Sequence, residues 1–125
     1  MKKKILIIED DNMLSGALSE WLLDEGFEVR VSGGVAEAFE EIAIDKPDVI
    51  LTDLVMADFD GFEVLRRVKE NSQLKNVLVL VMSNSGQDED VEKATLLGAK
   101  DFMIKSDLSL KEIVKRVKKA VTEAK

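Results

Sequence analysis

The chain of 125 residues contains no cysteine, no histidine and no tyrosine. Without cysteine there is no disulfide framework and no thiolate nucleophile. Without histidine it lacks the commonest general base and the commonest transition-metal ligand. Any chemistry therefore falls to carboxylates, lysine, serine or threonine, backbone groups or a hard cation. Long apolar runs are missing too. The opening MKKKILII has too few apolar residues before Glu9 for a secretory signal, and no stretch approaches a membrane span, so no membrane insertion and a cytoplasmic setting are expected. The formal net charge of -7 argues against direct nucleic acid binding, which needs a basic face.

What the chain does have is a series of short apolar runs that stop on polar residues. The clearest is Pro47-Asp48-Val49-Ile50-Leu51-Thr52-Asp53, which reads as a parallel strand buried on both faces and ending on a carboxylate. Lys4–Ile8 is another, ending in Glu9-Asp10-Asp11. Asn12 is placed to cap a helix carrying Leu14, Ala17, Leu18, Trp21 and Leu22, which Gly26 stops. Residues 27–31 alternate as an edge strand does. Gly33-Gly34 breaks the chain, and Val35, Ala36, Phe39, Ile42 and Ala43 mark a second helix ended by Lys46-Pro47.

A loop over residues 54–60 leads to a third helix opened by Gly61, with Phe62, Leu65 and Val68 inward. Residues 77–82 form the most hydrophobic strand and run into Ser83-Asn84-Ser85-Gly86. A fourth helix is expected over residues 88–97, with Gly98 as its stop. Asp101–Ile104 is a fifth strand ending on Lys105, and Ser109 or Asp107 caps a last helix with Leu110, Ile113, Val114, Val117 and Val121 inward. Strand and helix alternate five times with βαβ spacing. The expected fold is a single α/β domain over residues 1–125, a doubly wound (βα)5 flavodoxin-like sandwich whose five-stranded parallel sheet has the order 2-1-3-4-5.

In such a sheet, chemistry collects beyond the carboxyl ends of the strands. Glu9 and Asp10 stand at the end of the first strand, Asp53 at the third, Ser83 at the fourth and Lys105 at the fifth. The order 2-1-3-4-5 makes the first and third strands neighbours and brings Asp10 to Asp53. Clustered carboxylates repel at low dielectric, so a divalent cation or Lys105 must offset them. Oxygen ligands in an open site suit Mg²⁺. A carboxylate beside Mg²⁺, faced by a lysine and a hydroxyl, is equipped to attack phosphorus and become an aspartyl phosphate.

The fragments ILIIEDD, PDVILTDLVMADFDG, VLVMSNS and GAKDFMIK, taken in this order, resemble the receiver domains of two-component response regulators, the CheY-like superfamily. The resemblance spans nearly the whole chain and suggests the stand-alone type with no attached output domain. It implies Asp53 as phosphoacceptor and Asp10 as direct Mg²⁺ ligand, with Glu9 assisting directly or through a water. It also implies a third ligand in the backbone carbonyl of Val55 and phosphoryl contacts from Ser83 and Lys105. A sensor histidine kinase or phosphotransfer protein would be the donor. Ser83 and an aromatic at the place of Phe102 would report the change to the surface of the fourth helix and fifth strand, for an unidentified downstream protein. Three positions depart from the family pattern: Ala57 and Ser106 stand where proline is usual, and Asn84 where a small residue is.

Blander readings stand beside these. Asp53 alone could be a strand-end cap, and Asp11 a helix N-terminal acid favoured by the macrodipole. Asp58 and Asp60 read as solvated turn residues, Trp21 and the methionines as core filling, and the basic stretch of residues 111–119 as a solvated helix face. Phe102 reads equally as fixed core or as a switch. The main alternative function is a receiver-like interaction module that is never phosphorylated. A phosphatase acting on external substrates would want an acid at Val55. A flavin site would want a phosphate-binding loop after the first strand. The chain is therefore not expected to be an enzyme beyond catalysing its own phosphorylation and a slow dephosphorylation, to which an apolar Val55 and a short Ser85 point.

Overall fold

The computed structural model describes residues 2–56, 59–84 and 86–123, and of residues 55, 56, 59 and 60 the backbone alone. Ala57, Asp58 and Ser85, which entered the sequence reading, lie outside the described residues, as do the side chains of Val55 and Asp60. The elements follow in the order β1 (Lys4–Ile8), α1 (Asn12–Asp24), β2 (Glu28–Ser32), α2 (Val35–Ile44), β3 (Val49–Asp53), β4 (Val55–Met56), β5 (Phe59–Asp60), α3 (Gly61–Glu70), β6 (Leu78–Ser83), α4 (Asp88–Leu96), β7 (Asp101–Ile104) and α5 (Leu110–Glu123). Five parallel strands form one sheet in the order β2-β1-β3-β6-β7. Counted within that sheet alone, this is the expected 2-1-3-4-5. The small antiparallel pair β4–β5 lies within the stretch read as a loop. Among the described residues, no helix is long and apolar enough to cross a membrane.

The pleat of β1 divides the core. Leu6 and Ile8 join the cluster built with α2, α3 and α4, while Ile5 and Ile7 join the one built with α1 and α5. Every residue of β3 is buried, as a strand covered by helices on both faces requires. Burial of each large aliphatic side chain here contributes roughly 1.5–3 kcal/mol, and that packing holds the strand ends at one level.

Both α1 and α4 end in the same way. After α4, Gly98 takes φ +97 and donates to the Thr95 carbonyl at 3.0 Å, while Ala99 donates to the Ala94 carbonyl at 2.9 Å. Gly26, at φ +94, ends α1 with the matching pair of bonds to Leu23 and Leu22. At its N-terminus, α1 is capped by Asp11 and not Asn12: the Asp11 carboxylate accepts from the Met13 and Leu14 amides at 3.0 and 3.2 Å. A carboxylate accepts these charged hydrogen bonds better than an amide, and its charge also suits the helix dipole. On α5 the cap is Ser109, whose hydroxyl accepts from the Glu112 amide while Glu112 returns a bond to the Ser109 amide, a reciprocal capping box.

The apolar stripes are narrower than the sequence suggests. Trp21 is 43% exposed and Met13 86% exposed, so neither fills the core; Leu18 and Leu22 do. On α2, Ala38 is buried while Ala36 and Ala43 face out. Met82 and Met103 are core residues, as expected.

Candidate functional site

The sheet register places the site. Ile8 pairs with Thr52, so the residues that follow each, Glu9 and Asp53, leave the sheet side by side. Asp53 in turn pairs with Met82, and Ser83 with Ile104, which directly precedes Lys105. Strand-end residues from β1, β3, β6 and β7 thereby converge, as the sequence reading required. The Leu54 amide, bonded to the Met82 carbonyl at 2.9 Å, and the Glu9 amide, bonded to the Ser32 carbonyl at 3.0 Å, carry the ladder past the last strand residues.

Carboxylate oxygens of Glu9, Asp10 and Asp53 all lie within 4.8 Å of one another. Glu9 is 1% exposed and Asp53 4%, Asp10 faces solvent, and Ser83, at the end of β6, is buried. The end of the ladder explains the contrast within the first acidic pair: the Glu9 amide still bonds to β2 and its side chain is buried, while Asp10 sits at the bend that follows and is exposed. The Lys105 ammonium reaches both buried acids, 2.5 Å from Glu9 Oε1 and 3.0 Å from Asp53 Oδ2. Lys105 opens a 3-10 turn, Lys105–Asp107, and the bond to Ser106 is trans. Serine at the position where proline is usual does not turn the lysine away.

Burial pushes the Glu9 carboxyl above its ordinary range, and the nearby Asp53 charge adds to this against the opposing pull of Lys105. Burial alone would lower the Lys105 ammonium, but its hydrogen bonds to Glu9 and Asp53 outweigh that and raise it. Among the described residues, the Lys105 ammonium is bonded to two acids of a cluster of three carboxylates. At 4 Å and an effective dielectric near 20, each like-charge pair costs about 4 kcal/mol. A second positive charge is called for. The donor set is entirely oxygen, and the exposed Asp10 leaves one side open to water, which fits a hard divalent cation such as Mg²⁺.

Val55 and Phe102 complete the predicted set. Val55 opens β4 just after Asp53, and only its backbone is described. Phe102 is half-buried and packs against the core cluster shared by α2, α3 and α4, as Leu97 and Ala99 also do. Gly61 matters more than its reading as a helix opener suggests. Its amide bonds to the Leu54 carbonyl at 2.6 Å, and a Cβ there would lie 2.7 Å from Leu54 Cα and collide with the Asp53 carbonyl. The third helix can start this close to the Asp53 backbone only on glycine. A glycine immediately before an apolar helical pattern is the signal, but it does not say what it approaches.

Comparison with known proteins agrees with this arrangement. The response regulator receiver domain matches residues 5–118. The transcriptional regulatory protein KdpE of Staphylococcus aureus is 33% identical over 105 residues, covering 84% of this chain and 44% of that protein. The alkaline phosphatase synthesis transcriptional regulatory protein PhoP of Bacillus subtilis is 31% identical over 120 residues, covering 94% and 48%. The chain spans about half the length of the curated relatives it matches. Among solved structures, the chemotaxis protein CheY4 of Vibrio cholerae shares the fold with a TM-score of 0.89 at 24% identity, covering 96% of this chain and 99% of that one. The signal receiver domain of a DNA-binding response regulator from Colwellia psychrerythraea superimposes with a TM-score of 0.88 at 28% identity, covering 97% and 99%. Five parallel strands in the order seen here, acids at the ends of the first and third, a lysine at the end of the last and a family match over nearly the whole chain lead to one conclusion: this chain belongs to the response regulator receiver domain family.

Proposed function

We propose that the chain is a phosphorylation-driven signalling switch in which Asp53 accepts a phosphoryl group from a sensor histidine kinase, a phosphotransfer protein or a small phosphodonor. The observation that carries this reading is the Lys105 ammonium bound to both Glu9 and Asp53 inside a three-carboxylate cluster. An Asp53 carboxylate oxygen attacks phosphorus, a P–O bond forms, and the bond from phosphorus to the donor breaks with its electron pair leaving on the donor. Lys105 and Ser83 neutralise charge on the phosphoryl oxygens as it spreads. Asp10, Asp53 and the Val55 carbonyl would hold Mg²⁺, with Glu9 assisting. Bound there, the cation supplies the positive charge that the carboxylates lack. Drawing Ser83 and Lys105 toward the new group shifts the chain between β6 and α4, and with it the α4–β7 surface offered to a downstream protein.

An interaction module that is never phosphorylated is disfavoured by the placement of Lys105, which reaches Asp53 despite Ser106. Intact mass after incubation with acetyl phosphate and Mg²⁺ is the test. A single phosphoryl gain is expected, lost with EDTA and in Asp53→Asn. Uptake at the same site by Asp53→Asn would end this reading, and no uptake by a folded wild type would favour the module.

A further inference from the structure

Gly86 lies against Ile104 more closely than any residue with a side chain could. A Cβ built at Gly86 would overlap Ile104 Cδ1 outright and stand 2.9 Å from its Cγ1. The first conflict is cheap, because Cδ1 swings away with χ2. The second is not: Cγ1 moves only with χ1, which a β-branched residue holds stiffly. A methyl group at position 86 must therefore displace either Ile104 or the chain leaving β6.

Ile104 is placed for such a contact to matter. Its Cα pairs with Ser83 on the last rung between β6 and β7, and the next residue is Lys105. Paired residues of a parallel ladder share a face, so Ile104 and Ser83 project to the α4 side, as Phe102 and Val81 do two rungs deeper. Phe102 packs against the buried cluster, and Ile104 makes a contact from β7 to Gly86.

We infer that Ile104 is a positioning residue: its side chain is the stop on which Gly86 rests, and the pair fixes where Gly86 stands against the end of β7, three residues after Ser83. The consequence for phosphoryl transfer rests on the reading of Asp53 as phosphoacceptor; the contact itself does not. Side-chain size at 86 and 104 then controls where the Ser83 hydroxyl stands relative to the group it must meet.

Gly86→Ala, Ile104→Ala and the double variant test this with two readouts. One is the set of amide NMR shifts of Ser83, Asn84 and Gln87 in the unphosphorylated protein; the other is the rate of phosphoryl uptake from acetyl phosphate at saturating Mg²⁺. Gly86→Ala is expected to move those amides and slow uptake about tenfold, since a misplaced donor is costly. Adding Ile104→Ala removes both crowded carbons and returns both readouts toward wild type. Ile104→Val, which removes Cδ1 alone, rescues less. Unchanged shifts and uptake in Gly86→Ala, or a double variant as impaired as Gly86→Ala, would overturn the inference. Should Gly86→Ala fail to fold, Ile104→Ala alone decides: removal of the stop must shift the Asn84 and Gly86 amides, and no shift rejects it. A wild type that takes up no phosphoryl group would refute the phosphoacceptor reading instead, and the amide shifts alone would then judge the Gly86–Ile104 contact.

Discussion

Lys105 and Glu9 act in opposite senses on the metal-free protein. Lys105 is the one cation bonded to the buried acids among the described residues, so Lys105→Met takes that ammonium away from Glu9 and Asp53. The expected loss is about 2 kcal/mol at neutral pH, below the range for a fully buried pair because the lysine side chain is 15% exposed. Urea denaturation without divalent ions measures it, and added Mg²⁺ should narrow the gap. Glu9 works the other way. Its carboxyl is raised above the ordinary 4.5, so between that value and its folded one the native state holds a proton that the unfolded chain has lost. Stability linked to Glu9 is therefore complete below 4.5 and declines as pH rises to the folded value. A pH series of denaturation midpoints should show that decline in the wild type and not in Glu9→Gln. Asp10, Asp53 and Lys105 were legible in the sequence because each ends an apolar run. The depth of Glu9 was not, since the sequence does not mark where the ladder ends and the bend at Asp10 begins. The Gly86–Ile104 contact was not either, because it depends on how β6 registers on β7.

Terminal signals governed the elements more reliably than apolar stripes did. The boundaries of β1 and β7 and the glycine stops of α1 and α4 were readable because each rests on a local backbone demand. Gly98→Ala is accordingly expected to cost about 1 kcal/mol, the penalty of left-handed backbone for a residue with a Cβ. Gly34→Ala is the contrast, expected to be near neutral: Gly34 is extended at φ -168, with nothing within 4 Å of a Cβ. At α5, Ser109→Ala should cost about 1 kcal/mol by thermal denaturation. The same box carries a pH signature. Hydrogen bonds from the Ser109 amide and hydroxyl hold the Glu112 carboxyl below its ordinary range. Its contribution is present above the ordinary glutamate value and is lost as pH falls through the depressed one. Glu112→Gln should flatten that acid limb. What the stripes concealed was width: Trp21 and Ala43 are spaced correctly for a buried face, yet each lies at its margin, where the sheet no longer covers the helix. The β4–β5 pair was hidden for a different reason, since two-residue strands leave no periodicity to read.

At the scale of the molecule, two sources of acid must be separated. The chain carries a net charge of -7, and any divalent cation will relieve part of its general self-repulsion. The cluster of Glu9, Asp10 and Asp53 is a distinct, local excess that the fold itself assembles from strands distant in sequence. A site that exists only in the folded state converts cation binding into stability, by about 2.7 kcal/mol when the free cation is a hundredfold above its dissociation constant. For a domain of this size that corresponds to a rise in melting temperature of about 10 °C. General screening should respond equally to NaCl at matched ionic strength and keep growing without saturation. Site binding should saturate with Mg²⁺, survive added NaCl and disappear in Asp10→Asn, which leaves the buried Glu9, Asp53 and Lys105 in place. Melting curves across a Mg²⁺ series, with and without NaCl, for the wild type and Asp10→Asn separate the two. Equal rises in both proteins would mean that the carboxylates at the strand ends are surface charge and not a cation site. The phosphoacceptor reading would then lose the positive charge on which its transition state depends.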